Sequence, residues 1–260
     1  MIGISPRRTY LDWASAAPVS PRAWRAFMNA TKLFGNPGSV HADGVAARVV
    51  LEEARTRIAR LAGTKSDGVI FTSGATESNN LSILGYLHLN MKEMSLEEMH
   101  VLYLSSAHSS TTGPVERFGS VGVQIEPVAL QGATIDEEAL KKQIRPTTVL
   151  VVMEAVCGET GTRFDTRNVR RILNAISPDR HIALHVDASQ LPLVGSFEHT
   201  HLGADMITLD AQKVGGVRGS GVLILPKMLH CSRLRLVVGS SMHFGQVRKR
   251  QHLQPPLQKH

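Results

Sequence analysis

Three polar clusters carry residue types that can do chemistry. Asp210-Ala211-Gln212-Lys213 leads into Gly215, Gly216, Gly219 and Gly221, four glycines within eight residues. A partly desolvated lysine amine has a lowered pKa and adds to a carbonyl as a Schiff base; glycines let backbone crowd a bound ligand. A second cluster, Phe71-Thr72-Ser73-Gly74-Ala75-Thr76-Glu77-Ser78, passes from a β-like run into a helical pattern. Free amides at a helix start, the helix dipole and the Thr76 hydroxyl make an anion site there, and Gly74 permits close approach. It is neither a GxGxxG nor a Walker pattern, so a nucleotide is not implied. The third cluster, His185-Val186-Asp187-Ala188-Ser189-Gln190, puts Asp187 at the end of an apolar run. A carboxylate so placed can hold a protonated heterocyclic nitrogen and strengthen it as an electron acceptor. Singly, each cluster has a plain structural explanation: a surface lysine in a flexible loop, N-capping by Ser73 or Thr76, a helix-capping aspartate.

The elements around these clusters read as an α/β domain. Apolar runs at Val69–Phe71, Val101–Leu104, Val149–Met153, Ile182–Val186, Met206–Leu209 and Val222–Leu225 predict strands. Several lack alternation, as strands covered on both faces do. Between them Glu77–Leu89, Asp136–Ile144 and Asn168–Ile176 predict helices. An earlier amphipathic helix is predicted over Gly44–Leu61, with Ala47, Val50, Leu51, Ala54, Ile58 and Leu61 on one face and Gly63 as its stop. Strands alternating with helices indicate a mostly parallel sheet, and such sheets place sites beyond the carboxyl ends of their strands. All three clusters fall there.

Composition narrows the class. The chain has 260 residues, 42% hydrophobic and 20% charged, enough for one large domain with a sizeable core. Only 2 cysteines argue against a disulfide scaffold and for a reducing compartment. No run approaches the roughly 20 apolar residues of a membrane span, and the N-terminus lacks a secretory apolar core. A soluble cytoplasmic protein is expected. The net charge of +7 lies partly in Gln246 to His260, which carries Arg248, Lys249, Arg250 and Lys259 and no acid. Aromatic residues are not interleaved with that run, so it reads as a solvated tail, not a nucleic-acid-binding arm.

In chain order, the clusters resemble the phosphate cradle, aspartate and lysine of a fold-type-I pyridoxal-phosphate enzyme, and specifically the cysteine desulfurases of the class-V aminotransferase group. Tyr10-Leu11-Asp12 through Pro18 and Pro21 resembles the family's opening motif, and Gly35-Asn36-Pro37, Ser39 and His41 match another. FTSGATESNN from Phe71 is a near-literal match, as is VDASQ at Val186–Gln190; the resemblance runs from about Tyr10 to about Leu225. It implies pyridoxal 5′-phosphate as cofactor and L-cysteine as substrate, converted to alanine with sulfur left on the enzyme. Lys213 would hold the cofactor aldehyde and shuttle a proton. Gly74, Ala75 and Thr76 would bind the phosphate, Asp187 the pyridinium nitrogen, Gln190 the phenolic oxygen, and His108 would stack on the ring. Gln212 and Asp210 fall on phosphate-binding positions that the family fills with His and Ser. An acid there repels phosphate, so the Asp210 side chain is expected to point elsewhere. No metal is implied. Family members are homodimers and pass sulfur to acceptor proteins, so both kinds of partner are expected, with no membrane.

Two departures bear on activity. Val156-Cys157-Gly158-Glu159-Thr160-Gly161 replaces an Asn-Asn-Glu-x-Gly stretch, so Gly158 stands where an asparagine would contact the cofactor; Cys157 reads as a structural thiol. After Met242-His243-Phe244-Gly245 the resemblance gives way to the Gln/Arg/Pro run. The expected organisation is therefore a large cofactor-binding domain over 1–245 and a disordered basic tail over 246–260. The small C-terminal domain, with its substrate arginine and persulfide cysteine, is expected to be absent, and Cys231 has no matching neighbours. This implies an impaired, poorly soluble desulfurase-like protein. Another class-V enzyme (an aminotransferase or selenocysteine lyase) and a non-catalytic remnant or binding protein remain open alternatives.

Overall fold

A computed structural model describes residues 9–226. Cys231 and the tail over 246–260 lie outside the described residues. The chain opens with α1 (Pro21–Ala30) and α2 (Ala42–Leu61), then β1 (Val69–Thr72) and α3 (Ala75–Asn90). There follow β2 (His100–Tyr103), α4 (Ser109–Gly119), β3 (Gln124–Pro127), and a small hairpin of β4 (Leu130–Gln131) and β5 (Thr134–Ile135). Next come α5 (Glu137–Gln143), β6 (Thr148–Glu154), α6 (Thr166–Ile176), β7 (Ala183–Asp187), α7 (His199–Leu202), β8 (Met206–Asp210) and β9 (Gly221–Ile224).

Seven strands form one mixed sheet in the order β1-β9-β8-β7-β6-β2-β3. Five of them, from β8 to β3, run parallel; β9 is antiparallel to both β8 and β1. Reversing β9 turns β1 back into the direction of β8, so the carboxyl ends of β1, β6, β7 and β8 share one edge. Every residue of β6, β7, β8 and β9 is buried, which explains why these strands read as unbroken apolar runs. Two cores cover the faces: Ile83 and Leu87 of α3 pack with Val115 and Phe118 of α4 on one, Leu140 of α5 with Val169, Ile172 and Leu173 of α6 on the other. Each such buried apolar side chain contributes roughly 1.5–3 kcal/mol.

The α/β reading and a mostly parallel sheet agree with this architecture; the strand windows are offset by a residue at most ends. The sequence reading predicted none of α1, α4, β3, the β4–β5 hairpin or α7, and α2 departs from it in burial. On α2 only Gly44, Ala47 and Ala59 are buried, while Val50 and Leu61 face solvent at 44% and 64% exposure. The spacing there identifies a helix but not a covered face. α4 went unpredicted because its sequence, SSTTGPVERFG, is rich in poor helix formers and carries Pro114. Packing of Val115 and Phe118 into the core overrides that weak propensity. α1 buries none of its residues, and its Trp24 and Phe27 stack with ring centroids 5.7 Å apart on the surface. Among the described residues no helix is long and apolar enough to cross a membrane.

Candidate active site

The shared edge opens into a cavity of about 790 Å³. Ala75, Thr76, His108, Asp187, Gln190, Asp210, Gln212 and Lys213 all line it, so eight of the nine sequence-nominated residues meet in one place. The ninth, Gly74, lies just behind them as the N-cap of α3. Neither Ser73 nor Thr76 caps the helix, contrary to the simple structural explanation; Gly74 takes that position with φ +153 and offers no side chain. The backbone angle at Gly74 suits no L side chain, and Gly221, packed against it, has no room for one either: a Cβ there would come within 2.6 Å of the Gly74 Cα.

Lys213 sits in a one-turn 3-10 helix, Ala211–Val214, and is half-buried, not loose in a surface loop. Its Nζ donates to the carbonyls of Ala14 and Ser15, each at 2.9 Å. Gln190 Nε2 donates to the same Ala14 carbonyl at 2.8 Å, so the segment before α1 folds over the pocket on these two side chains. That segment is further braced by Ala17 N donating to the Gln212 carbonyl.

Asp187 ends β7 at 8% exposure and is held rigidly: Oδ1 accepts from Ser189 N at 2.9 Å and Oδ2 from Asn79 Nδ2 at 2.8 Å. Asn79 in turn accepts from His185 Nε2 at 3.0 Å, which fixes the proton of that imidazole on Nε2. Complete burial lowers the His185 pKa to about 4 against the opposing charge of Asp187, so the ring stays neutral. The same Asn79 amide lies 3.0 Å from Ser110 Oγ, and Ser110 approaches His108 Nδ1 at 2.8 Å. His108 is thus the N-cap of α4, with Nδ1 accepting from Ser110 N, and its ring borders the cavity.

Asp210 does not point elsewhere. Its Oδ2 accepts from Ala75 N at 3.1 Å and its Oδ1 from Gln212 N at 3.0 Å. Unpaired amides at the first turn of a helix attract a carboxylate, and the return of β1 beside β9 and β8 brings that turn within reach.

Sequence reasoning missed Asn79 and Glu154. Asn79 lay inside the FTSGATESNN motif without a role, since its partners come from 31 to 108 positions away. Glu154 ends β6 in register with Asp187 and is 6% exposed, with Oε1 lacking any partner. Burial pushes its pKa up to about 7; the charges of Asp187 and Glu159 add to this, while the Cys157 thiol and the His108 backbone oppose it. A single acid closing an apolar run gave the only signal. Among the described residues no group of three or more ligating side chains could hold a metal ion.

The comparisons agree with this geometry. The sequence pattern described as Aminotransferase class-V matches residues 9–256. Cysteine desulfurase IscS 1 of Archaeoglobus fulgidus is 37% identical over 217 residues, covering 82% of this chain and 54% of its own. A mitosomal cysteine desulfurase of Encephalitozoon cuniculi is 31% identical over 243 residues, covering 92% of this chain and 55% of its own. Among solved structures, a NifS-like protein superimposes with a TM-score of 0.80 at 25% identity over 85% of this chain and 60% of that one. SspA in complex with cysteine does so with a TM-score of 0.75 at 26% identity, over 84% and 61%. The chain spans about half the length of the curated relatives it matches. With a sheet edge that gathers a lysine, a buried aspartate and the head of a helix, and with that family's pattern running through nearly all of the described residues, the chain belongs to the aminotransferase class-V family, whose cysteine desulfurases depend on pyridoxal 5′-phosphate.

Proposed function

We propose that this chain carries the cofactor-binding half of a cysteine desulfurase, holding pyridoxal 5′-phosphate for chemistry at the α-carbon of L-cysteine. The observation that carries the reading is the convergence of Lys213, Asp187 and the head of α3 on one cavity. The donor set fits: a half-buried primary amine for an aldehyde, a buried and doubly held carboxylate for a ring nitrogen, and a glycine-lined helix start for the far end of the ligand. When bound, the cofactor supplies an electron sink for the substrate α-carbon.

The chain's own residues divide the remaining work. Lys213 would hold the aldehyde through its amine and would serve as the base for the substrate α-proton. Asp187 would keep the ring nitrogen protonated, with Asn79 fixing the carboxylate, while His108 would lie over the ring and Gln190 would address the phenolic oxygen. Thr76 would address the far end, together with Gln212. L-cysteine is favoured as substrate because a structural relative was solved with cysteine bound and the curated relatives named above are desulfurases. Transfer of the substrate sulfur also needs a thiol. Among the described residues the only cysteine is Cys157, 4% exposed, so turnover by these residues alone is low in this reading. The bare aromatic surface of α1 favours a homodimer, and a sulfur-acceptor protein would complete the reaction in the cytoplasm.

The test is chemical. The full chain, purified with pyridoxal 5′-phosphate and reduced with borohydride, should carry the label on the peptide containing Lys213, and Lys213→Ala should carry none. Alanine and sulfide formed from L-cysteine support the desulfurase assignment. Label on another lysine defeats the cofactor reading, and keto-acid formation without sulfide makes the chain an aminotransferase.

A further inference from the structure

We infer that Asp210 is a specificity residue that already fills the anion cradle at the head of α3, so that a phosphate arm adds little to ligand affinity in this pocket. The inference rests on the cofactor reading above and concerns one end of the same ligand. Gly74 caps α3 without a side chain, and the amide of the first helical residue, Ala75, is given to Asp210 Oδ2 at 3.1 Å. The carboxylate is only 8% exposed and is gripped from behind by Gln212, whose backbone N donates to Oδ1 at 3.0 Å and whose Nε2 approaches Oδ2 at 3.4 Å. A Cβ built on Gly74 would stand 3.3 Å from the same Oδ2, so the acid lies directly against the cradle backbone. An anion from this chain thus holds the amide that a bound anion would need.

The surrounding charge points the same way and is independent of that contact. Glu154, Asp187 and Asp210 end three neighbouring strands, all of them buried, and Asp12 and Glu159 join them along the cavity wall. Among the described lining residues, Lys213 is the only lysine or arginine. A phosphate ester brings nearly two further negative charges. Entering the cradle, it would have to displace the Asp210 carboxylate from Ala75 N and then remain beside it. A ligand of the same ring and aldehyde but with a neutral arm leaves the Asp210–Ala75 bond intact. The chemical class this pocket accepts on equal terms is therefore a hydroxypyridine carbaldehyde with or without its phosphate.

The experiment compares two aldehydes on the full chain, reading dissociation constants from the absorption of the lysine-bound aldehyde. The probes are pyridoxal 5′-phosphate and 5′-deoxypyridoxal, which lacks the phosphate and cannot close on itself as a hemiacetal. The wild-type protein should bind the two within about threefold of each other. Asp210→Ser, which replaces the acid by a small donor, should tighten the phosphorylated probe by about tenfold or more, the effect of one charge-assisted hydrogen bond, and leave the other nearly unchanged. Asp210→Asn keeps the capping acceptor for Gln212 N and should shift the preference the same way, which covers the case of a serine variant that fails to fold. Inorganic phosphate should compete with the phosphorylated probe in both variants and hardly at all in the wild type. A wild-type preference of about a hundredfold for the phosphorylated probe, or a ratio unmoved by either variant, overturns the inference and leaves the cofactor reading standing. Absence of a Lys213-dependent band with both probes in all three proteins overturns the cofactor reading itself.

Discussion

Replacing Glu154 by Gln removes an acid whose proton is retained by the fold, and the consequence for stability can be worked out with its sign. Burial raises the Glu154 pKa from 4.5 to about 7. Between those values the folded protein holds a proton that the unfolded chain has released, so this group's contribution to stability falls as pH rises through the window. At 1.36 kcal/mol per pH unit the interval corresponds to about 3 kcal/mol; Glu154 lines the cavity, and screening there reduces this to about 1–2 kcal/mol. His185 acts in the opposite sense. Its pKa is lowered from 6.5 to about 4, so its contribution is complete above pH 6.5 and is lost as pH falls toward 4. The windows overlap between about pH 4.5 and 6.5, where one group retains a proton and the other refuses one, and their slopes oppose. The Glu154→Gln variant keeps only the His185 slope. Urea unfolding of the cofactor-free chain at half-unit pH intervals should give a shallow wild-type profile from these two groups and a more steeply rising one for the variant. The variant should gain about 1–2 kcal/mol over the wild type between pH 4.5 and 8. Any fixed cost of the amide cancels in that comparison. A wild-type-to-variant difference that is the same at both ends of the range would refute the reasoning.

Three further substitutions probe the scaffold of the site. Asn79→Ala strands two buried groups, the Asp187 Oδ2 acceptor and the His185 Nε2 donor, and should lower unfolding free energy by about 3 kcal/mol in urea titrations while weakening aldehyde binding. Gly221→Ala drives a methyl group into the Gly74 backbone at 2.6 Å and should cost about 3 kcal/mol, read as a lower melting temperature. Gly113→Ala, by contrast, adds a methyl in α4 with nothing within 4 Å, and should stabilise by about 0.5–1 kcal/mol in the same assay.

What the sequence determined by itself was what local pattern can encode. Unbroken apolar runs specified β6, β7 and β8, because strands buried on both faces need no alternation. Polar residues closing those runs marked Asp187 and Asp210, and the motif through Ala75 and Thr76 marked the head of α3. Local pattern fell short at α4, whose Ser, Thr, Gly and Pro residues become helical only through the burial of Val115 and Phe118. It fell short again at Val50 and Leu61 of α2, because spacing selects a helix face without supplying anything to cover it.

The tertiary structure alone decided which polar groups meet. Asp210 reaches the Ala75 amide across 135 residues because β9 reverses between β8 and β1 and aligns their carboxyl ends. Asn79 joins Asp187 across 108 residues, and Glu154 comes alongside that same aspartate only through the parallel register of β6 and β7. Residue type sets what a group can donate, accept or ionise. Its partner, its burial and hence its proton affinity depend on distances that a linear pattern does not contain.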